Sequence, residues 1–314
     1  MAQQTIDRQP QPIIRREDAD FEIDQSKLRR DTLIQRAGRV GLILNPIFTY
    51  FFLWAPILLL VIFSFNDSRG IAVWRGFTLE WYQNIFRGVV ADDATFSTEG
   101  MLDAVQVSVV VATSATIVST IIGTMAALAL QRSTFPGKKF LDSVLYLPVV
   151  IPEITQGISL MVFFNTVFEF VERTSGIVMQ RGFATVIIAH AAFNISYVVI
   201  VVRSRLASMN PRYEEAARDL GANEWRTFWR VTFPLLFPGI LAGALLAFTL
   251  SLDDYVVTLF TRGAGTNTLT VFVYGLLKIS VTPEINAIST LMLLVSTVLI
   301  GISLALQGRG AAER

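Results

Sequence analysis

Long apolar runs separated by short charged segments set the pattern of this chain. Six stretches fall roughly at 44–64, 104–130, 143–168, 183–206, 235–260 and 284–306, each near the ~20 residues that cross a hydrocarbon layer of ~30 Å as a helix. They predict an all-α integral membrane protein with six transmembrane helices. Pro56, Pro148, Pro152 and Pro238 lie inside the runs, where neighbouring helices and hydroxyl groups can satisfy the freed carbonyls. Residues 41–308 read as one membrane domain, between a polar tail over 1–40 and a short tail over 309–314. Within the first tail, 1–26 reads as disordered and 27–42 as a basic amphipathic helix lying at the inner interface. The long connection 65–103 has room for a short helix around 79–88.

Basic residues orient the spans. Lys27, Arg29, Arg30, Arg36 and Arg39 precede the first. Arg132, Lys138 and Lys139 lie between the second and third, and Arg203, Arg205, Arg212, Arg218, Arg226 and Arg230 between the fourth and fifth. The alternate connections are sparser in Lys and Arg. Positive charge stays inside, so both termini and the segment 210–234 are expected in the cytoplasm.

Composition narrows the chemistry. Of 314 residues, 53% are hydrophobic and only 16% charged, with mean hydropathy +0.53, against about 25% charged in soluble domains. A net charge of +1 gives no field that calls for nucleic acid. With no cysteine and a single histidine, His190, thiol catalysis, disulfides and an ordinary Cys/His zinc site are excluded. The polar N-terminal stretch lacks the short apolar core of a cleavable signal. No G-x-x-x-x-G-K-[ST] phosphate loop occurs. The Gly-containing "TRGAGTNTLT" (261–270) lacks the lysine and reads as an outside turn.

Between the fourth and fifth runs lies "EEAARDLGANEWRTFWRVTFP" (214–234). Asn210-Pro211 starts a helix, Glu214 and Glu215 complement its dipole, and Gly221 closes it as a left-handed cap. Asn223 then caps a second helix, "EWRTFWRVTF", which Pro234 turns into span five. Gly221 is thus the expected hinge between two short helices. Trp225, Phe228 and Trp229 stand among charges, as aromatics at a docking or lipid-facing surface do. A solvated connector would need neither the aromatics nor the spacing: Glu215-Ala216-Ala217, three residues, Gly221, nine residues, Val231-Thr232-Phe233-Pro234.

That spacing resembles the cytoplasmic EAA loop of the permease subunits of ABC importers, E-A-A-x3-G-x9-I-x-L-P, with Val231 and Phe233 replacing the usual Ile and Leu. The resemblance covers the chain from about residue 40 onward and implies a type I importer permease fold. It implies that the loop couples to an ATP-binding subunit dimer. Glu215 would be at the charge contact, with Glu214 beside it in the coupling set, Ala216 and Ala217 at the close approach, and Gly221 at the turn. ATP and Mg would belong to that partner, and this chain would bind no cofactor or metal and catalyse nothing. A secondary transporter would not need such a loop. A membrane enzyme would need a nucleophile–base set that one histidine and no cysteine do not supply.

Polar residues inside spans are expensive and mark function by default. In "FTLSLDDYVVTLF" (248–260), Asp253 lies about 27 Å above Leu235 at ~1.5 Å per residue. With Asp254 it suits a cationic substrate, or alternatively caps a break or pairs with Arg262 or Lys278. Glu153, flanked by Pro148 and Pro152, can line a path beside freed carbonyls or meet a partner subunit's arginine. His190, Asn194 and Tyr197 share a face of span four, more simply read as a buried cluster between helices. Ser108, Ala112, Ser119 and Gly123 form a close-packing face. "AFTLSLDDYVVTLFTRG" (247–263) and "YGLLKISVTPEINAIST" (274–290) resemble the spermidine/putrescine importer permeases. That resemblance implies a bacterial inner-membrane importer of polyamine, with an external polyamine-binding protein and a second homologous permease as partners. The alternative is another small solute.

Overall fold

The computed structural model describes residues 25–68, 73–87, 98–278 and 283–312. The stretch expected to be disordered lies outside these as far as residue 24, as do the last two residues. Helices dominate the described residues: α1 (Gln25–Phe63), α2 (Glu80–Arg87), α3 (Thr98–Arg132), α4 (Lys138–Val150), α5 (Glu153–Ser175), α6 (Phe183–Ser208), α7 (Arg212–Asp219), α8 (Glu224–Thr227), a π-helical segment Phe228–Thr232, α9 (Phe233–Asp253), α10 (Val256–Thr261), α11 (Leu269–Leu277) and α12 (Pro283–Ala312). The sole extended pairing among them is an isolated antiparallel bridge, Asn66 to Phe77.

Six helical stretches among the described residues are long and apolar enough to cross a membrane: Gly38–Phe63, Gly100–Arg132, Glu153–Ser175, Phe183–Ser208, Glu224–Asp253 and Pro283–Leu306. Two differ from the sequence reading. The expected third span, 143–168, is two helices. Pro152 has no N–H to give, and Ile151 before it is driven into extended backbone (φ −72°, ψ 133°) by the proline ring. The expected fifth span, 235–260, instead starts at Glu224 and stops at Asp253, where Asp254 turns extended (φ −67°, ψ 130°) and α10 begins afresh.

The chain divides into two compact units, residues up to Leu58 and residues from Leu59 onward. In the first, α1 runs without a break from Gln25, so 27–42 continues the span and is not a separate element. Phe48 and Phe52 stack there with ring centroids 6.4 Å apart.

In the second unit, α3, α6 and α9 form the core, with Ala127, Leu130, Val198, Val199, Val202, Leu206, Leu236 and Ala247 buried together. Small residues let the backbones close: a Cβ added at Gly123 would stand 2.8 Å from the Val198 side chain and 3.1 Å from the Ile195 carbonyl. Such contact replaces the hydrophobic driving force that lipid does not supply between helices. In the connection after the first span, Asn66 accepts from the Arg75 N–H (2.9 Å), donates to the Val73 carbonyl (2.9 Å) and receives the Trp81 indole N–H on its own carbonyl (2.9 Å). Trp81 of α2 is thereby buried, and α2 coincides with the helix expected around 79–88.

Candidate functional site

Two places concentrate the candidate side chains: the loop from Asn210 to Pro234, and a pocket where two helices break.

Local chemistry builds the loop. Asn210 Oδ1 accepts from the Arg212 N–H at 3.1 Å, so it caps α7 with Pro211 behind it. At the other end the Gly221 N–H bonds the Arg218 carbonyl (2.8 Å) and the Ala222 N–H the Ala217 carbonyl (3.0 Å), a Schellman closure. Gly221 has φ 85°, and a Cβ there would meet nothing within 4 Å. Glycine is required for its backbone conformation, not for room. Asn223 Oδ1 caps α8 by accepting from the Arg226 N–H at 2.9 Å. Arg218 and Glu224 then pair across the turn, at 2.9 Å from Nε and 3.3 Å from Nη2. The expected hinge is therefore a braced corner.

Beyond the corner the second helix passes into the fifth span at Pro234, as expected, through a π-helical turn. The ladder widens by one residue over Phe228–Thr232, with the Phe233 N–H bonding the Phe228 carbonyl, and the chain continues helically through α9. Pro234 lacks an N–H for the Arg230 carbonyl and would crowd it; the wider turn absorbs this. Trp225, Trp229, Phe233 and Phe237 form a ladder of rings, with successive centroids 5.6, 4.9 and 5.9 Å apart.

The loop's candidate residues separate by direction. Glu215, Ala216 and Gly221 are exposed and Ala217 is half-buried. Leu220 beside the corner is 89% exposed and Trp225 71%. Glu214 instead turns inward, pairing with Arg132 at the end of α3 and accepting from the Thr232 hydroxyl at 2.7 Å. Glu215 is thus the exposed one of the two glutamates, whereas Glu214 is occupied within this chain.

The pocket, with a volume of about 460 Å³, forms where α4 gives way to α5 and α9 to α10. Glu153, Tyr197, Asp253 and Asp254 all line it, joined by Gln156 and Tyr255. The aspartates have different duties. Asp254 Oδ2 accepts from the Thr258 N–H and hydroxyl, both at 2.8 Å, and lies 3.3 Å from His190 Nε2; Oδ1 takes the Val257 N–H at 3.3 Å. It is the cap of α10, with its side chain 5% exposed. Asp253 is exposed towards the pocket, with Ser296 of α12 donating to Oδ1 at 2.8 Å. Neither pairs with Arg262 or Lys278. Lys278 lies over the Tyr274 ring at 5.1 Å, and that ring packs on Tyr255 at 4.3 Å.

Pro148, Ile151 and Pro152 line the pocket beside Glu153, and the Gln156 amide donates to the carbonyls of both Pro148 (2.5 Å) and Ile151 (2.9 Å). Asn194, expected along the substrate path, does not line this pocket. Its side chain is fully buried, and neither amide atom finds a hydrogen-bond partner among the described residues. Phe193 and Tyr197 turn to the pocket, and a helix step of about 100° carries Asn194 off that face. His190 is the buried polar group expected, its Nδ1 2.6 Å from Ser251 Oγ and its Nε2 2.9 Å from Thr258 Oγ1. Sequence reasoning gave no role to Gln156, Ser296 or Tyr255. For Gln156 a signal existed: an amide one turn into the helix that follows a proline break.

A family model described as "Binding-protein-dependent transport system inner membrane component" matches residues 119–309. The chain is 40% identical over 243 residues to the putrescine transport system permease protein PotI of Escherichia coli (strain K12), a match covering 77% of this chain and 82% of that protein. To the spermidine/putrescine transport system permease protein PotC of the same strain it is 36% identical over 251 residues, covering 80% and 88%. Among solved structures, a chain of a bacterial ABC transporter that imports the acidic polysaccharide alginate superimposes with TM-score 0.64 at 16% identity, covering 90% of this chain and 99% of that one. At that identity the likeness speaks for fold alone.

Proposed function

Because this chain belongs to the family of binding-protein-dependent transport system inner membrane components, we propose that it is the membrane-spanning subunit of an ATP-driven importer and that its substrate is a polyamine, putrescine or spermidine. It is a multi-pass inner-membrane protein with both termini in the cytoplasm. An ATP-binding subunit dimer holds ATP and Mg and docks on the exposed face of α7, where Glu215 supplies charge, Ala216 and Ala217 allow close approach, and Gly221 fixes the corner. A second homologous permease completes the passage, and an external binding protein delivers the substrate. A ligand or subunit moves such an equilibrium only through differential affinity for its states, and the braced corner gives the ATPase a rigid handle.

One observation carries the substrate assignment: Asp253 and Glu153 face one pocket together with Tyr197 and Tyr255. A carboxylate and an ammonium about 4 Å apart attract by roughly 4 kcal/mol at an effective dielectric near 20, before desolvation is subtracted. Aromatic faces add smaller cation–π attraction. Contacts of this size hold an extended polycation without trapping it. The named relatives carry putrescine and spermidine, which fits this lining.

The test is labelled putrescine uptake into proteoliposomes carrying the complete complex, with loaded receptor outside and ATP at the ATP-binding subunits. ATP-dependent accumulation of putrescine or spermidine is expected. A complex that moves a different solute and neither polyamine overturns the substrate assignment.

A further inference from the structure

Glu214 precedes the exposed Glu215, yet its carboxylate turns back into the molecule. It meets the guanidinium of Arg132, the last residue of α3, and the hydroxyl of Thr232 at the end of the π-helical segment. Three stretches distant in sequence thus converge on one carboxylate: the inner end of the second span, the first helix of the loop, and the start of the fifth span. The Glu214 side chain is 15% exposed, that of Arg132 37%, and Thr232 is fully buried. A pair so placed is screened less than one on open surface. Arg132 also stands where a helix C-terminus favours positive charge, so the cation is held in place independently of the loop.

We propose that Glu214 is a clasp, a positioning residue that makes the loop drive α3 together with the fifth span. The proposal rests on reading the loop as the ATPase-facing lever. The chain joins α7 covalently to α6 on one side and, through α8, to α9 on the other. No such covalent link reaches α3, which packs on α6 and α9 in the apolar core through Ala127 and Leu130 and closes on α6 at Gly123. The ionic contact adds a direct tie from the loop to the end of α3, and the Thr232 hydroxyl fixes the carboxylate to the fifth span at the same point. Since Arg218–Glu224 and the Schellman closure already brace the corner, a displacement of α7 reaches α3 and α9 together.

The test measures ATP hydrolysis and putrescine uptake together in the complete reconstituted complex. Glu214→Gln keeps the side chain's size and its capacity to accept from Thr232 but removes the charge; Glu214→Arg opposes Arg132. Combining Glu214→Arg with Arg132→Glu restores opposite charges in exchanged places. In both single variants the ATP-binding subunits co-purify as in the wild type, while putrescine moved per ATP falls on the order of fivefold or more; the exchanged pair recovers most of the loss. Wild-type uptake per ATP in the single variants, or an exchanged pair no better than either, overturns the clasp. Loss of the ATP-binding subunits from Glu214→Gln overturns it too, since the carboxylate would then belong to the docking face. Glu215→Ala, measured in parallel, tests the lever itself: normal uptake there removes the lever, whereas normal uptake confined to the Glu214 variants removes only the clasp.

Discussion

Asp253 and Asp254 are adjacent, carry the same charge and line the same pocket, but they do different work. Asp254 is consumed by α10 and His190, whereas Asp253 is exposed and held by Ser296 alone among the contacts described. Asp253→Asn is therefore expected to lower putrescine uptake about tenfold or more, the scale of one lost charge contact, with complex yield and melting temperature unchanged. Asp254→Asn removes a buried, charge-assisted acceptor worth roughly 1.5–3 kcal/mol. Its first effect is a lower melting temperature of the solubilised complex, read by thermal unfolding. Equal effects of the two substitutions on uptake, with no loss of stability in either, would contradict the division. The residue types were legible in the sequence, as were the caps at Asn210 and Asn223 and the left-handed Gly221, because these follow from a few neighbouring residues. The directions of Glu214 and Asp254 were not legible, because Arg132 and His190 come from distant parts of the chain.

Among the elements, the apolar runs gave six spans but misplaced two boundaries, and in each case backbone hydrogen bonding overrode the hydropathy. Pro152 splits the expected third span. Asp254 ends the fifth by capping a new helix with its side chain, a local alternative that aspartate offers and a helix interior does not. At the start of the fifth span, where Pro234 was expected to turn the second helix into the span, a π-helical turn carries the helix through it. The α4–α5 break holds its shape because Gln156 satisfies the carbonyls of Pro148 and Ile151. Gln156→Leu leaves both unpaired at a cost of about 1–3 kcal/mol each if they stay dry. A clearly lower melting temperature and weaker uptake are expected, while Gln156→Glu, which has no amide donor, shares the defect. An unshifted melting curve for Gln156→Leu would mean that the break is held by packing alone.

At the scale of the molecule, the exposed face of the loop and the pocket occupy opposite ends of the fifth helical span, Glu224–Asp253, one continuous rod from the corner to the aspartates. In the proposed mechanism, work done on the loop reaches the pocket through this rod, and through α3 by the Glu214 clasp. None of this was visible in composition. It required the spacing of the loop motif, the break at Asp254, and the contacts that tie both to the core of α3, α6 and α9. The most direct measurement follows putrescine uptake in vesicles containing this chain and its partner permease, with and without the ATP-binding subunits and ATP. The account predicts uptake only when both are present, and a fall to background in a complex carrying Gly221→Pro, which cannot adopt φ 85°. Uptake by the permeases alone, or undiminished uptake by the Gly221→Pro complex, would contradict it.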